Sequence, residues 1–107
     1  MKKQHLEICE NLGWSVNEDT NDISLQQYSP AGEDFFFYVS KKHYLTDICN
    51  YAEDFDPDEH AEMWVECRKS VRGVPQSIRT LIDDADSIKE MLLELSNALI
   101  KNTIKRS

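Results

Sequence analysis

A chain of 107 residues, 40 % of them hydrophobic, builds one domain around one modest core and is too apolar to be disordered. Its longest apolar run, Phe35 to Val39, is far too short to cross a bilayer, and no apolar stretch follows the basic start Met1-Lys2-Lys3; the expectation is a cytoplasmic protein without a signal peptide. A net charge of −8 repels nucleic-acid phosphates and anionic lipid, so direct nucleic-acid binding and membrane binding are disfavoured against a protein partner with a basic surface.

Residues 2 to 12 read as a short helix. Leu6, Cys9 and Leu12 recur at helical spacing, and Gly13 stands where a left-handed cap ends the helix. Trp14 to Val16 reads as a short strand, followed by the polar turn 17 to 22. Ile23, Leu25 and Gln27 alternate with Ser24, Gln26 and Tyr28 in a second strand. Ser29-Pro30-Ala31-Gly32-Glu33-Asp34 is a turn, and the aromatic run 35 to 39 is the third strand. Connections this short favour an antiparallel meander.

The rest of the chain has the helical period. Tyr44, Leu45, Ile48, Cys49, Ala52 and Phe55 mark a helix over about 43 to 54. The next begins with Asp56 as N-cap, Pro57 at the first helical position and Glu59 at the capping-box position. It runs to about residue 70, with Ala61, Trp64, Val65 and Arg68 on one face, before Gly73-Val74-Pro75 breaks the chain. The last segment carries Ile78, Leu81, Ile82, Ala85, Ile88, Leu92, Leu95 and Leu99 on one stripe. Because Asp prefers a cap to a helix interior, Asp83-Asp84-Ala85-Asp86 predicts either a kink or a short helix followed by a long one. The fold class is therefore α+β: an N-terminal helix, a three-stranded antiparallel sheet, then three to four helices packed on one face, as a single domain over 1–107.

Charge is concentrated in the middle. Residues 18 to 66 hold thirteen acidic side chains against Lys41 and Lys42, whereas residues 67 to 107 hold eight basic against five acidic. Glu53, Asp54, Asp58, Glu59, Glu62 and Glu66 would line the outer face of a helix and its approach. Such a row can imitate nucleic-acid phosphates and occupy a basic groove. It can equally be a solvated helix face whose acidic start and basic end, Arg68, Lys69 and Arg72, follow the helix dipole. The basic string that these three form with Arg79 could touch RNA or an acidic patch, though it too reads as a helix terminus. Leu93, Ile100 and Ile104 widen the last apolar stripe, which would suit a homodimer contact.

Catalytic and metal chemistry find little support. From Asp54 onward, oxygens recur at every second residue as in a calcium loop, but Glu59 and Val65 stand where that loop needs Gly and Glu. Capping explains the cluster better. His60-Ala61-Glu62 lacks the Pro-Cys-x-x-Cys partner of a zinc deaminase. Cys9, Cys49 and Cys67 have no paired spacing, and without an export signal they read as reduced thiols. A cysteine nucleophile would need a base, which His5, His43 or His60 could supply only through folding. With Gly13, Gly32 and Gly73 as the sole glycines, phosphate-cradling loops are nearly excluded. No cofactor, metal or catalytic residue is assigned, and the reading is that the protein is not an enzyme.

Four segments together, Tyr28-Ser29-Pro30-Ala31-Gly32-Glu33-Asp34-Phe35, Phe55-Asp56-Pro57-Asp58-Glu59-His60-Ala61-Glu62-Met63-Trp64, Gly73-Val74-Pro75 and Asp83-Asp84-Ala85, resemble small acidic uncharacterised proteins of plasmids, phages and conjugative elements of low-GC Gram-positive bacteria. Some small acidic proteins from that setting are anti-CRISPR proteins against type II effector nucleases. The resemblance implies a mobile-element inhibitor that binds such a nuclease or blocks its guide-RNA assembly, and it transfers no functional residues. The alternatives are an accessory interaction module of a conjugative element and an RNA-trimming enzyme using Asp54, Asp58 and His60.

Overall fold

The computed structural model describes residues 1–68 and 78–105, with side chains for 1–63 and 81–102. In chain order the elements are α1 (Lys3–Asn11), β1 (Ser15–Glu18), β2 (Asp22–Tyr28), β3 (Asp34–Ser40), α2 (Tyr44–Asp54), α3 (Pro57–Arg68) and α4 (Ile78–Lys105). This is the α+β order expected, with three helices after the sheet among the described residues. The Gly73-Val74-Pro75 break, Lys69 and Arg72 lie outside what is described, as do the side chains of Trp64, Val65, Glu66, Cys67, Arg68, Ile78, Arg79 and Ile104.

The sheet is a meander in the order β1-β2-β3, antiparallel throughout. Val16 pairs with Leu25, and Leu25 with Phe37. Alternation then sorts the faces. Ile23, Leu25, Phe35, Phe37 and Val39 are buried on one side, while Tyr28, Phe36 and Tyr38 stand exposed on the other. The first strand begins one residue later than expected, because Trp14 is buried and makes edge contacts with Phe35 and Phe37.

The β2–β3 hairpin and the end of α1 follow from turn chemistry. Pro30 and Gly32 shape the β2–β3 loop: the Gly32 amide donates to the Ser29 carbonyl at 2.9 Å, and φ of Gly32 is +91°. That is a three-residue loop with its last residue in the left-handed region. Gly13, at φ +94°, ends α1. A Cβ there would lie 2.9 Å from Gln27 Oε1, and the Gln27 amide nitrogen donates to the Leu12 carbonyl left open at the helix end.

A single buried cluster joins Cys9, the inner strand residues, Ile48 and Ala52 of α2, and Ile88, Leu92, Leu95 and Leu99 of α4. A smaller one joins Ala61 of α3 to Leu81 and Ala85. The inner face of α1 is turned from the one expected. His5 and Cys9 are its fully buried residues, and Leu6 is half-buried, because the His5 ring bonds the Tyr44 hydroxyl at 2.6 Å.

Of the two forms expected at Asp83 to Asp86, the split into a short and a long helix does not occur. α4 is one helix of 28 residues, since Asp84 takes its hydrogen bonds from another element and has no need to end the helix. The neighbours Leu92 and Leu93 test this packing, one fully buried and the other 37 % exposed. Leu92→Ala is expected to lower the unfolding free energy by about 3 kcal/mol and Leu93→Ala by under about 1 kcal/mol, read from urea unfolding.

Candidate protein-binding surface

The expected acidic residues separate into three environments. Asp56 is a true N-cap: its Oδ1 accepts from the amides of Asp58 at 3.0 Å and Glu59 at 3.3 Å. Glu59 makes no reciprocal bond to the Asp56 amide, so half of the capping box is formed. Asp58 and Glu62 are exposed in the first turns of α3, where the dipole favours them. Glu53 and Asp54 are different. They close α2 at the end where carboxylates oppose the dipole, and no basic residue stands in that last turn. Lys89 of α4 compensates by donating to the carbonyls of Ala52 and Glu53. The Glu66 carboxylate lies outside the described residues.

Asp54 and Glu59 do meet. With Asp56 they line a cleft of about 290 Å3 walled by Tyr51, Phe55, His60 and Met63. Asp54 and Tyr51 also line the next cleft, of about 400 Å3, together with Asp22, Tyr38, Ser40, Asp47 and Asn50. Asp22 and Tyr38 belong in turn to a third, with Glu18 and Asp19. The three adjoin through shared residues and make one trough from the β1–β2 hairpin, past the edge of β3, to the start of α3. Glu53, Asp58 and Glu62 are not among its lining residues.

Part of this charge is already engaged. Glu18 meets the N-terminal ammonium at 2.5 Å, a bond that holds its carboxyl below the usual range. The Lys41 ammonium, at the rim, donates to the Asp19 carbonyl at 3.1 Å. Asp47 accepts from the Ser40 amide at 2.9 Å and hydroxyl at 2.8 Å, and these bonds, the amide first, hold its carboxyl low. Asp22, Asp54 and Glu59 are exposed. Sequence reasoning missed Asp22, Asp47 and Tyr38. A signal for Tyr38 was present, since alternation in 35–39 puts Phe36 and Tyr38 on the face opposite Phe35, Phe37 and Val39.

Residues of the segments 28–35, 55–64 and 83–85 meet elsewhere. Ser29 Oγ donates to Asp84 Oδ2 at 2.6 Å, and the Ala31 amide donates to Asp84 Oδ1 at 2.8 Å. Ser29 Oγ also accepts from the Glu33 amide at 2.9 Å. The Glu33 carboxylate holds His60 Nε2 at 2.8 Å, and the His60 ring packs on Phe35 and Phe55. The β2–β3 loop is thereby bolted to α4 and α3. With Ser29 and Asp84 both buried, this cluster is architecture.

Candidate catalytic groups are engaged in the same way. His60 is held by Glu33 and lines the same cleft as Asp54, whereas Asp58 is exposed and is not among that cleft's lining residues. Burial pushes the Cys9 thiol up to about 11, away from nucleophilic behaviour. Among the described residues no three His, Cys, Asp or Glu side chains gather to hold a metal ion, and no helix is long and apolar enough to cross a membrane.

Comparison with protein-family profiles finds no match to this chain. Neither curated proteins nor solved structures match it.

Two outcomes follow from these bonds. Asp84→Ala strands the buried Ser29 hydroxyl and frees the Ala31 amide, and is expected to cost about 2 kcal/mol in urea unfolding; in a double-mutant cycle with Ser29→Ala, about 1 kcal/mol or more should be shared. For Asp47, a carboxyl held low in the folded state stabilises above its unfolded pKa and loses that contribution as pH falls through its folded one. The stability gap between wild type and Asp47→Asn should therefore be complete above about pH 5 and close as pH drops below about 4, followed by urea unfolding across a pH series.

Proposed function

We propose that this chain is a non-catalytic cytoplasmic binding protein that docks its carboxylate-lined trough on a cationic protein surface. One observation carries the reading: among the described residues, the lining of three adjoining clefts includes seven carboxylates, on Glu18, Asp19, Asp22, Asp47, Asp54, Asp56 and Glu59, and no Lys or Arg. Capping accounts for Asp56, and Ser40 for Asp47. Nothing in the fold's own stability calls for Asp22 or for Asp54, which opposes the dipole of α2. Carboxylates that add nothing to folding are the ones expected to serve a partner.

The partner class is a basic protein surface, and the first candidate is the one the family resemblance implies, a type II CRISPR nuclease. Such nucleases hold guide and target in positively charged channels. A trough of carboxylates edged by Tyr38 and Phe55 could lie there in place of phosphates, blocking guide loading or target entry. The chain would then be a mobile-element inhibitor, an anti-CRISPR protein, working by occupancy without chemistry.

The test is direct. Purified chain is mixed with nuclease before and after guide RNA is added, and guide loading, target binding and cleavage are followed. Inhibition is expected, with binding that weakens steeply as salt rises. The triple variant Asp22→Asn, Asp54→Asn, Glu59→Gln should bind roughly tenfold or more weakly while remaining folded. Unaltered assembly and cleavage would remove the nuclease as partner. Inhibition undiminished in the triple variant would remove the trough as the surface.

A further inference from the structure

The free edge of β3 has the construction of a strand acceptor. In the β2–β3 ladder the Ser29 amide donates to the Glu33 carbonyl, and the Lys41 amide to the Asn21 carbonyl, both at 2.9 Å. Antiparallel bonding alternates, so between these ends Phe35, Phe37 and Val39 exchange bonds with β2. The amides and carbonyls of Phe36 and Tyr38 must then point away from the sheet. The next outward amide, at Ser40, is closed by Asp47. Phe36 and Tyr38 have no such partner among the described residues.

Natural sheets blunt such edges with Pro, Lys, bulges or a covering element. β3 reads Asp34-Phe35-Phe36-Phe37-Tyr38-Val39-Ser40, without Pro or Lys, and pairs with β2 in unbroken register. Alongside its Tyr38–Ser40 end lies the 400 Å3 cleft, bounded on the other side by Asn50, Tyr51 and Asp54 of α2. Tyr51 is fixed in place by stacking on Phe37, with ring centroids 4.4 Å apart. A groove between an open strand edge and a helix is the geometry in which extended peptides add to sheets.

We propose that the edge of β3 takes an extended segment of the partner, bearing Lys or Arg at alternate positions, as a fourth strand. The inference rests on the trough reading and specifies how the trough is used. Charge selects the occupant. Alternate side chains of an added strand would point toward Asp54 on the α2 side, and the others would cross the exposed rings of Phe36 and Tyr38, 52 % and 66 % exposed, where cations and apolar groups are both accepted. A second copy pairing edge to edge would bring together two chains of net charge −8, each with Asp34 on the paired strand. Repulsion between two copies of the same net sign opposes that pairing.

The test uses the full chain, labelled with 15N, and three blocked heptapeptides as probes: Lys-Val-Lys-Val-Lys-Val-Lys, the same peptide with its three central amides N-methylated, and Glu-Val-Glu-Val-Glu-Val-Glu. Affinity is read by fluorescence anisotropy at low salt, and hydrogen exchange is followed at the Phe36 and Tyr38 amides. The lysine peptide is expected to bind and to slow both amides roughly tenfold or more, leaving the ladder amides of Phe37 and Val39 as they were. The N-methylated peptide, equal in charge, should bind roughly tenfold or more weakly, and the glutamate peptide not at all. Equal binding of the methylated and unmethylated lysine peptides would overturn strand addition and leave docking by charge standing. Protection of Phe36 and Tyr38 that grows with protein concentration alone would hand the edge to a second copy. Failure of both lysine peptides to bind would overturn strand addition and the cationic-partner reading together.

Discussion

Burial of the apolar stripe on α4 holds together elements that would not persist alone. A three-stranded meander with a four-residue first strand and two helices of 9 and 11 residues are each marginal in water. Ile88, Leu92, Leu95 and Leu99 are fully buried in the same cluster as the inner strand residues and α2, so one long helix unites the sheet and the short helices around a common core. Toward its N-terminal half the same helix receives Ala61 of α3 through Leu81 and Ala85. In a domain this small, one such side chain is a large share of the net stability.

The polar bolt at Asp84 serves the same end by other means. An aspartate inside a helix is ordinarily a weak point, yet here it accepts from Ser29 and Ala31, more than fifty residues away in the chain. The β2–β3 loop is thereby tied to α4, and Glu33, just beyond the turn, reaches His60 of α3. His60, which a linear reading offers as a catalytic base, becomes with Ser29, Glu33 and Asp84 part of the fastening between layers. Phe35 and Phe55 pack on the His60 ring and fix it in place.

With the helices drawn to one side, the other face and one edge of the sheet are left to solvent. Tyr28, Phe36 and Tyr38 are exposed there, and the carboxylates of the trough run past the β3 edge to the junction of α2 and α3. Neither feature adds to the core. Both are consequences of how the core was built, and they sit where a partner would find backbone groups, aromatic rings and negative charge within reach of one extended segment.

Local chemistry dictated a good deal of this. Periodicities of two and 3.6 residues marked the strands and helices, Gly13 marked a left-handed helix end, Pro30 and Gly32 marked a turn, and Asp56-Pro57 marked a helix start, because each depends on neighbours within a few residues. The α+β order followed from them. Where local rules erred, a distant partner had overridden them: Asp84 stays helical because Ser29 satisfies it, and His5 turns inward because Tyr44 receives it. The acidic surface was legible only in part. Glu53, Asp54, Asp58, Glu59 and Glu62 were visible as a charge run, yet Asp54 and Glu59 alone of these entered the trough, beside Asp22 and Tyr38 from strands far off in sequence. Which carboxylates share a surface depends on strand register and on helix packing across the core, and such pairings are absent from any short window of sequence.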